Sequence, residues 1–148
     1  MYCRLIREDN QYLGITYLYE YDNAGNITAV KICNYTTSSS PTVTETKHYT
    51  YSNSAWGDLL TAYNGNAITY DAIGNPLTYN NGKVYTFTWS GRQLIGATKG
   101  GNTYSFAYND EGIRTSKTKN GVTTTYYLSG SQIIAEETGG KLYERKVL

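Results

Sequence analysis

The sequence predicts an all-β protein, an antiparallel meander of β-hairpins that forms one curved, open sheet. Three observations predict this fold class. Aromatic residues recur at a fixed interval along the chain, turn residues arrive about every nine or ten positions, and the segments between turns alternate with period two. No segment shows a convincing helical stripe, and the one candidate, residues 131–148, is interrupted by Gly139-Gly140.

The repeat is defined by one aromatic head residue in each unit. The heads are Tyr21, Tyr51, Tyr70, Trp89, Tyr108 and Tyr127, at intervals of 30, 19, 19, 19 and 19 residues. The long interval contains residues 34–47, a Ser/Thr-rich stretch with Pro41 that is typical of a loop insertion or a strand extension. Similarity at a fixed period is the signature of a repeat architecture. We therefore expect one repeat domain over residues 1–148.

Turn residues divide each unit into two strands. An Asp-x-x-Gly turn follows the head at Asp22–Gly25 and Asp71–Gly74, with Asn109–Gly112 as a variant. The side chain of Asp or Asn accepts bonds from the following backbone, and glycine takes the positive φ, which we expect at Gly25, Gly74 and Gly112. Reversals are predicted near Asp71–Gly74, Asn81-Gly82, Ser90-Gly91, Lys99–Gly101, Asn109–Gly112 and Asn120-Gly121. The Asn-Gly and Gly-Gly pairs, which also include Asn64-Gly65 and Gly139-Gly140, favour the primed hairpin turns.

Aromatic residues alternate with small polar residues inside the predicted strands. Tyr85, Phe87 and Trp89 share one face of their strand, and the same pattern recurs at residues 17–21 and 104–108. The segment "YEYDNAGNIT", which begins at Tyr19, resembles a binding loop when read alone. Because near copies begin at Ile68 and Phe106, we interpret it as turn and packing architecture.

Composition narrows the classes of function. The formal net charge of +1 does not indicate a surface that attracts nucleic acid or an anionic membrane. No apolar run resembles a membrane span or a signal peptide. Seventeen tyrosines supply apolar area that suits half-buried strands. The two thiols, Cys3 and Cys33, have no metal-ligand spacing; burial in strands and a disulfide both remain open.

Catalytic constellations are not expected. His48 is the only histidine, and we interpret it as a solvated strand residue instead of a member of a nucleophilic triad. The acidic residues are scattered along predicted turns, where they do not face each other across a substrate. The glycines fall at turn spacing and not in a phosphate loop. The sequence therefore predicts no enzyme, no metal site and no cofactor.

In its repeat interval and turn residues, the chain resembles the tyrosine–aspartate (YD) repeats of Rhs proteins. These repeats occur in bacterial wall-associated and polymorphic toxins, in insecticidal toxin-complex subunits and in teneurins. "YEYDNAGNIT", "ITYDAIGNPLT" and "YNDEGIRTSKTKNGVTTTYYLSGSQIIAE" carry the resemblance, and "FTWSGRQLIGAT" is similar to the tryptophan variant of the repeat. The signature positions are Tyr19, Tyr21, Asp22, Gly25, Asn26, Tyr70, Asp71, Gly74, Asn75, Trp89, Gly91, Arg92, Tyr108 and Gly112.

The resemblance implies a structural role. In the family, long arrays of such hairpins form a hollow β-shell that encloses a C-terminal toxin in bacterial members, which implies a secreted or cell-surface parent protein. Six units are too few for a closed shell, and the family's plug region and toxin domain have no counterpart in these 148 residues. We therefore expect a section of a longer protein, or a short remnant gene, with the rest of that protein and its toxin as partners.

The sequence also leaves one alternative function open and predicts one further interaction. Tyrosine faces flanked by Thr and Asn can stack on sugars, so a carbohydrate-binding or cell-surface-binding module is the alternative function; exposed ring faces would favour it, and covered rings would favour a scaffold. The end hairpins, around Tyr2–Glu8 and Lys141–Leu148, present strand edges that we expect to self-associate, although nearby charges blunt them.

Overall fold

The structure consists of β-strands and turns. It is a computed structural model that describes residues 4–144, and these residues include fourteen strands and no helix, which confirms the all-β prediction. The chain divides into two compact units, residues 4–68 and 69–144, with one antiparallel sheet each. The sequence predicts one open sheet, whereas the structure contains two.

The first unit contains a six-stranded sheet in which sequence neighbours are also spatial neighbours. Its strands are β1 (Arg7–Asn10), β2 (Ile15–Tyr21), β3 (Ile27–Asn34), β4 (Val43–Thr50), β5 (Ala62–Tyr63) and β6 (Asn66–Ala67). The Ser/Thr-rich stretch is both a loop and a strand extension, because residues 35–42 form a loop and β4 begins at Val43. His48 lies exposed on β4, as predicted.

The second unit contains an eight-stranded meander with the same neighbour-to-neighbour order. Its strands are β7 (Thr78–Asn80), β8 (Val84–Ser90), β9 (Gln93–Lys99), β10 (Asn102–Tyr108), β11 (Arg114–Lys119), β12 (Val122–Ser129), β13 (Gln132–Thr138) and β14 (Lys141–Glu144). Ahead of β7 only an isolated bridge joins Tyr70 to Pro76. Proline has no N–H to donate to a ladder, which explains why no regular strand forms there.

Turns alternate between two rims of each sheet. In the first sheet the signature rim carries the turns at residues 22–26 and 51–61, and the opposite rim carries those at 11–14, 35–42 and 64–65. In the second sheet the signature rim carries the turns at residues 71–75, 91–92, 109–113 and 130–131, and the opposite rim carries those at 81–83, 100–101, 120–121 and 139–140. All six reversals predicted between residues 71 and 121 are present.

The backbone at the turns has the expected handedness. Asn120 and Gly121 have φ of 49° and 83°, and Asn64-Gly65 has the same pattern, as type I′ turns require. Gly25, Gly74 and Gly112 have φ of 100°, 85° and 77°, which confirms the prediction for the head turns.

Each sheet is a single layer, and few side chains are fully covered. Ala29, Cys33 and Ile68 are the buried apolar residues among those described, and Thr16 and Asn75 are the buried polar ones. Cys3 lies outside the described residues, so its pairing with Cys33 falls outside them too. Most apolar area is therefore shielded by lateral neighbours in the same sheet.

The aromatic rows supply much of this lateral shielding. On β8 the rings of Tyr85, Phe87 and Trp89 are half-buried while the intervening threonines are exposed, which confirms the predicted alternation. Ring centroids are 6.2 Å apart for Tyr85 and Phe87 and 6.5 Å apart for Phe87 and Trp89. Aromatic pairs at such distances contribute beyond their buried area.

The positive φ of Gly74 predicts the effect of a substitution there. We expect Gly74→Val to lower the free energy of unfolding by about 1–3 kcal/mol, because a β-branched residue is strained in this region. Ile73→Val, at an exposed position in the same turn, is the control and is expected to be mild. Urea unfolding measures the stability of the two variants. Equal unfolding midpoints for Gly74→Val and Ile73→Val would contradict the turn geometry.

Candidate functional site

The first signature turn is organised around the Asp22 carboxylate. Its Oδ1 accepts hydrogen bonds from the backbone N of Gly25 at 2.8 Å and of Asn26 at 2.9 Å. Its Oδ2 accepts a bond from Nδ2 of Asn26 at 2.9 Å. The bonds from Asn26 hold the pKa of the Asp22 carboxyl below its ordinary value, although partial burial opposes them. The carboxylate therefore works as an acceptor for the turn.

The second signature turn repeats this arrangement at Asp71. Oδ1 of Asp71 accepts bonds from N of Ile73 at 3.0 Å and of Asn75 at 2.8 Å, and Oδ2 accepts from Nδ2 of Asn75 at 2.8 Å. Partial burial raises the pKa of Asp71, but the bonds from Asn75 outweigh it, so the pKa lies below its ordinary value. Both carboxylates therefore bond to the backbone of their own turns and to the asparagine four residues later.

The asparagine of each signature turn also reaches the next turn on the same rim. Nδ2 of Asn26 donates to the carbonyl O of Gly57 at 3.1 Å, and Nδ2 of Asn75 donates to that of Gly91 at 2.7 Å. One amide group thus closes its own turn and fastens the neighbouring hairpin. Sequence analysis included Gly91 in the signature but missed Gly57, since a backbone acceptor leaves no residue preference.

We call this pair of bonds, from one asparagine amide to its own turn and to the next turn, the asparagine clasp. The third signature turn, Asn109–Gly112, lacks it. Oδ1 of Asn109 accepts a bond from N of Ile113 at 2.9 Å, which preserves the closure of the turn. Ile113 occupies the position of Asn26 and Asn75 and has no side-chain donor. The turn at Asn109–Gly112 is therefore closed without the asparagine bond to the next hairpin.

A β-bulge marks the head of each regular hairpin. The register shifts between Glu20 and Tyr21, between Thr88 and Trp89, and between Ala107 and Tyr108. In β12 the shift falls between Tyr127 and Leu128, and Leu128 pairs with Ile133 as Trp89 pairs with Leu94. Leu128 is thus the structural head of the last unit.

The assignment of Tyr127 as a head is therefore corrected by one residue. Sequence spacing selected the tyrosine because it continued the interval of 19. The strand pairing places that side chain on the other face, where its hydroxyl donates to Oε2 of Glu137 at 2.6 Å. This bond raises the pKa of Tyr127.

The polar tip of the head ring bonds to the preceding hairpin. Oη of Tyr108 donates to the carbonyl O of Leu94 at 2.8 Å, and Nε1 of Trp89 donates to that of Pro76 at 2.7 Å. Both acceptors belong to the residue paired with the preceding head, since Leu94 pairs with Trp89 and Pro76 with Tyr70. The indole N–H of the tryptophan variant therefore performs the same task as the tyrosine hydroxyl.

The first unit contains a comparable bond. Oη of Tyr21 donates to the carbonyl O of Leu5 at 2.7 Å, and the guanidinium of Arg4 lies over the same ring. Tyr19 donates to Oε2 of Glu8 at 3.1 Å, and burial together with that carboxylate raises its pKa. Of the remaining signature positions, Tyr70 forms the isolated bridge to Pro76, and Arg92 is exposed in its turn.

Asparagines on the opposite rim form lateral bonds that the sequence did not reveal. Oδ1 of Asn120 accepts from N of Thr103 at 2.8 Å, and Oδ1 of Asn64 accepts from N of His48 at 2.7 Å. Each asparagine is the first residue of its two-residue turn and has a positive φ. Its side chain thereby bonds to the backbone of the strand next to its own hairpin. The Asn-Gly signal predicted the turns but carried no information about these partners.

Lysine and arginine side chains lie over the aromatic rings of β8 and β10 in the second unit. Nζ of Lys99 lies 5.0 Å from the centroid of Tyr85, and Cζ of Arg114 lies 4.6 Å from that of Phe106. Nζ of Lys119 lies 6.0 Å from the centroid of Tyr104. Such contacts are favourable, and they place charged groups over rings that a ligand would otherwise approach.

Comparisons with known proteins add no assignment: a scan against protein-family models gives no match, and a search of the curated proteins also gives none. Across residues 4–144 no group of three His, Cys, Asp or Glu side chains is arranged to hold a metal ion. Within the same range no helix has the length and apolar character to cross a membrane.

The asparagine clasp predicts a loss of stability. We expect Asn75→Ala to lower the free energy of unfolding by about 1–3 kcal/mol, because it leaves Oδ2 of Asp71 and the Gly91 carbonyl without this donor. The matched control is Asn23→Ala, at an exposed position of the first signature turn, and is expected to change stability by less than about 0.5 kcal/mol.

The same variant has a pH signature. The folded pKa of Asp71 lies below the ordinary value of 3.8, so its stabilisation is complete above that value and is lost as the pH falls through the folded pKa. The difference in stability between the wild type and Asn75→Ala should therefore be larger near pH 7 than near pH 2. A difference that does not change with pH would contradict the coupling to Asp71.

The head-ring bond predicts unequal effects for two tyrosines on one face of β10. Tyr108→Phe removes the donor to Leu94 and is expected to cost about 0.5–1.5 kcal/mol. Tyr104→Phe is the control, because the Tyr104 hydroxyl has no hydrogen bond within the described range. Thermal unfolding compares them; if Tyr104→Phe is as destabilising as Tyr108→Phe, the bond between hairpins is not the cause.

Proposed function

We propose that this chain is a structural repeat module, a section of a β-shell of the Rhs type, with no catalytic activity of its own. The observation that carries the proposal is the bond from the head ring of one hairpin to the preceding hairpin, made by both Tyr108 and Trp89. A unit that fastens to its predecessor through a repeated contact can be added in series. Its stability is then largely a sum of nearest-neighbour terms.

The parent context follows from the resemblance to Rhs proteins. We propose that the module belongs to a longer secreted or cell-surface bacterial protein whose repeats surround a C-terminal toxin. The genomic reading frame tests this proposal. Further units with the 19-residue interval on either side, followed by a distinct C-terminal domain, would support it, whereas a frame without further repeats would contradict the shell.

Sugar binding by the repeat face is the alternative that the sequence leaves open. The rings of this face are half-buried beside one another, and Lys99, Arg114 and Lys119 lie over them. A sugar stacking on these rings would have to displace the cations. The covered rings therefore favour the scaffold over a binding role for this face.

The noncatalytic proposal predicts no hydrolysis of glycans, peptides or phosphoesters. Support comes from His48, the sole histidine, which is exposed on β4, while Asp22 and Asp71 are engaged in turn bonds. A fluorogenic substrate panel with the purified protein measures the activity. Turnover above the buffer level that disappears in His48→Ala would overturn this proposal.

Strand edges predict self-association of the 148-residue polypeptide. β14 pairs with β13 along one edge, and no strand among residues 4–144 pairs with its other edge; Leu142 and Tyr143 are exposed there. Such edges template further strands. Light scattering over a concentration series should show growing mass, and Leu142→Lys should reduce it. A strict monomer at high concentration would contradict edge pairing.

A further inference from the structure

The loop between β3 and β4 has a length that the meander does not require. Residues 35–42 form this reversal, whereas the turn at 64–65 on the same rim uses two residues, as do the turns at 100–101 and 120–121 of the second sheet. The loop lies outside the repeat signature and interrupts the 19-residue interval. A long ordered surface loop on a rigid sheet is a common place for binding residues.

Contacts from the neighbouring hairpin hold this loop in place. Nη1 of Arg7 donates to the carbonyl O of Ser38 at 2.7 Å, and Nη2 donates to that of Thr36 at 2.6 Å. Nε of Arg7 bonds to Oδ1 of Asp9 at 2.8 Å, which orients the guanidinium. The guanidinium also holds the pKa of Asp9 below its ordinary value.

A buried threonine completes the base of the loop. Oγ1 of Thr16, which is fully buried, accepts a bond from N of Thr36 at 3.1 Å and lies 3.0 Å from the Thr36 carbonyl O. Together with Arg7 it fixes the loop backbone before any ligand binds. A ligand at the loop would therefore lose little affinity to ordering it.

The loop and the start of β4 line a concave surface that is open to solvent and has a volume of about 310 Å³. This volume lies at the lower end of the range of small-molecule sites. Its lining includes Asn34, Tyr35, Ser40, Pro41 and Thr42 and contains no charged side chain. A neutral lining of hydroxyl and amide groups offers no counter-charge to an ion but matches a neutral ligand rich in hydroxyl groups.

Free hydrogen-bonding groups are available in this space. Within the described part of the chain, the side chains of Asn34, Tyr35 and Thr42 make no hydrogen bond. Tyr35 is 38% exposed and offers both a ring surface and a hydroxyl. An amide can donate and accept, and so can a hydroxyl, as a polyol ligand requires.

We propose that this loop is a binding site for a neutral pyranose sugar. Tyr35 stacks on the apolar face of the sugar ring, while Asn34 and Thr42 bond to its hydroxyl groups. The site is separate from the covered aromatic face and does not rest on the shell proposal. A scaffold module could therefore carry it whether or not the parent protein encloses a toxin.

Saturation-transfer NMR with the full 148-residue protein tests the site. The probes are the methyl glycosides of glucose, galactose, mannose and N-acetylglucosamine at millimolar concentration. We expect transfer to at least one glycoside, loss of that transfer in Tyr35→Ala, and its retention in Tyr12→Ala. Tyr12 is 96% exposed in the turn at 11–14 and serves as the matched control.

Two conservative variants separate binding from folding. Tyr35→Phe keeps the ring and should weaken binding by several-fold without abolishing it. Thr42→Val keeps the shape of an exposed loop residue, removes a hydroxyl and should also weaken binding several-fold, which provides the decisive comparison if Tyr35→Ala does not fold. Absence of transfer to all four glycosides, or binding that is unchanged in Tyr35→Ala or Thr42→Val, would overturn the proposal.

Discussion

Only five of the described residues are buried, so contacts between neighbouring hairpins have to supply what a buried core supplies in most domains. Few residues are fully covered, and the stabilising contacts run sideways along the sheet. Backbone ladders provide one set of these contacts. The head rings, which reach the carbonyl of the preceding hairpin, and the turn asparagines, which reach the following turn, provide two more.

This constraint accounts for the unusual composition. A side chain in a single layer needs apolar area for its lateral neighbours and a polar tip near solvent, and tyrosine combines both. Tyr21 and Tyr108 use the hydroxyl to reach backbone carbonyls, and Trp89 uses its indole N–H. Phenylalanine could fill the same space but could not make the bond, and the Leu128 head of the last unit likewise has no side-chain donor.

Sequence reasoning predicted the elements of this fold because their signals are local. Alternation, Asn-Gly turns and the positive φ of Gly25, Gly74 and Gly112 depend on residues that are adjacent in the chain. Partners across hairpins were not predictable, because the acceptors are backbone groups that any residue provides. The interval of 19 misplaced the head of the last unit at Tyr127, since spacing alone cannot detect the bulge that selects Leu128. The break in regular pairing at Pro76 was likewise visible only in the ladder.

The clasp from Asn26 to Gly57 shows how such a chain tolerates change. These two residues are joined on the signature rim, although the chain between them includes the eight-residue loop on the opposite rim. Material added on that opposite side leaves the fastening of the hairpins intact, and the entropic cost of a longer loop grows only slowly with its length. At this clasp, a longer loop on the opposite rim adds surface to the sheet without breaking the bond that joins the two hairpins.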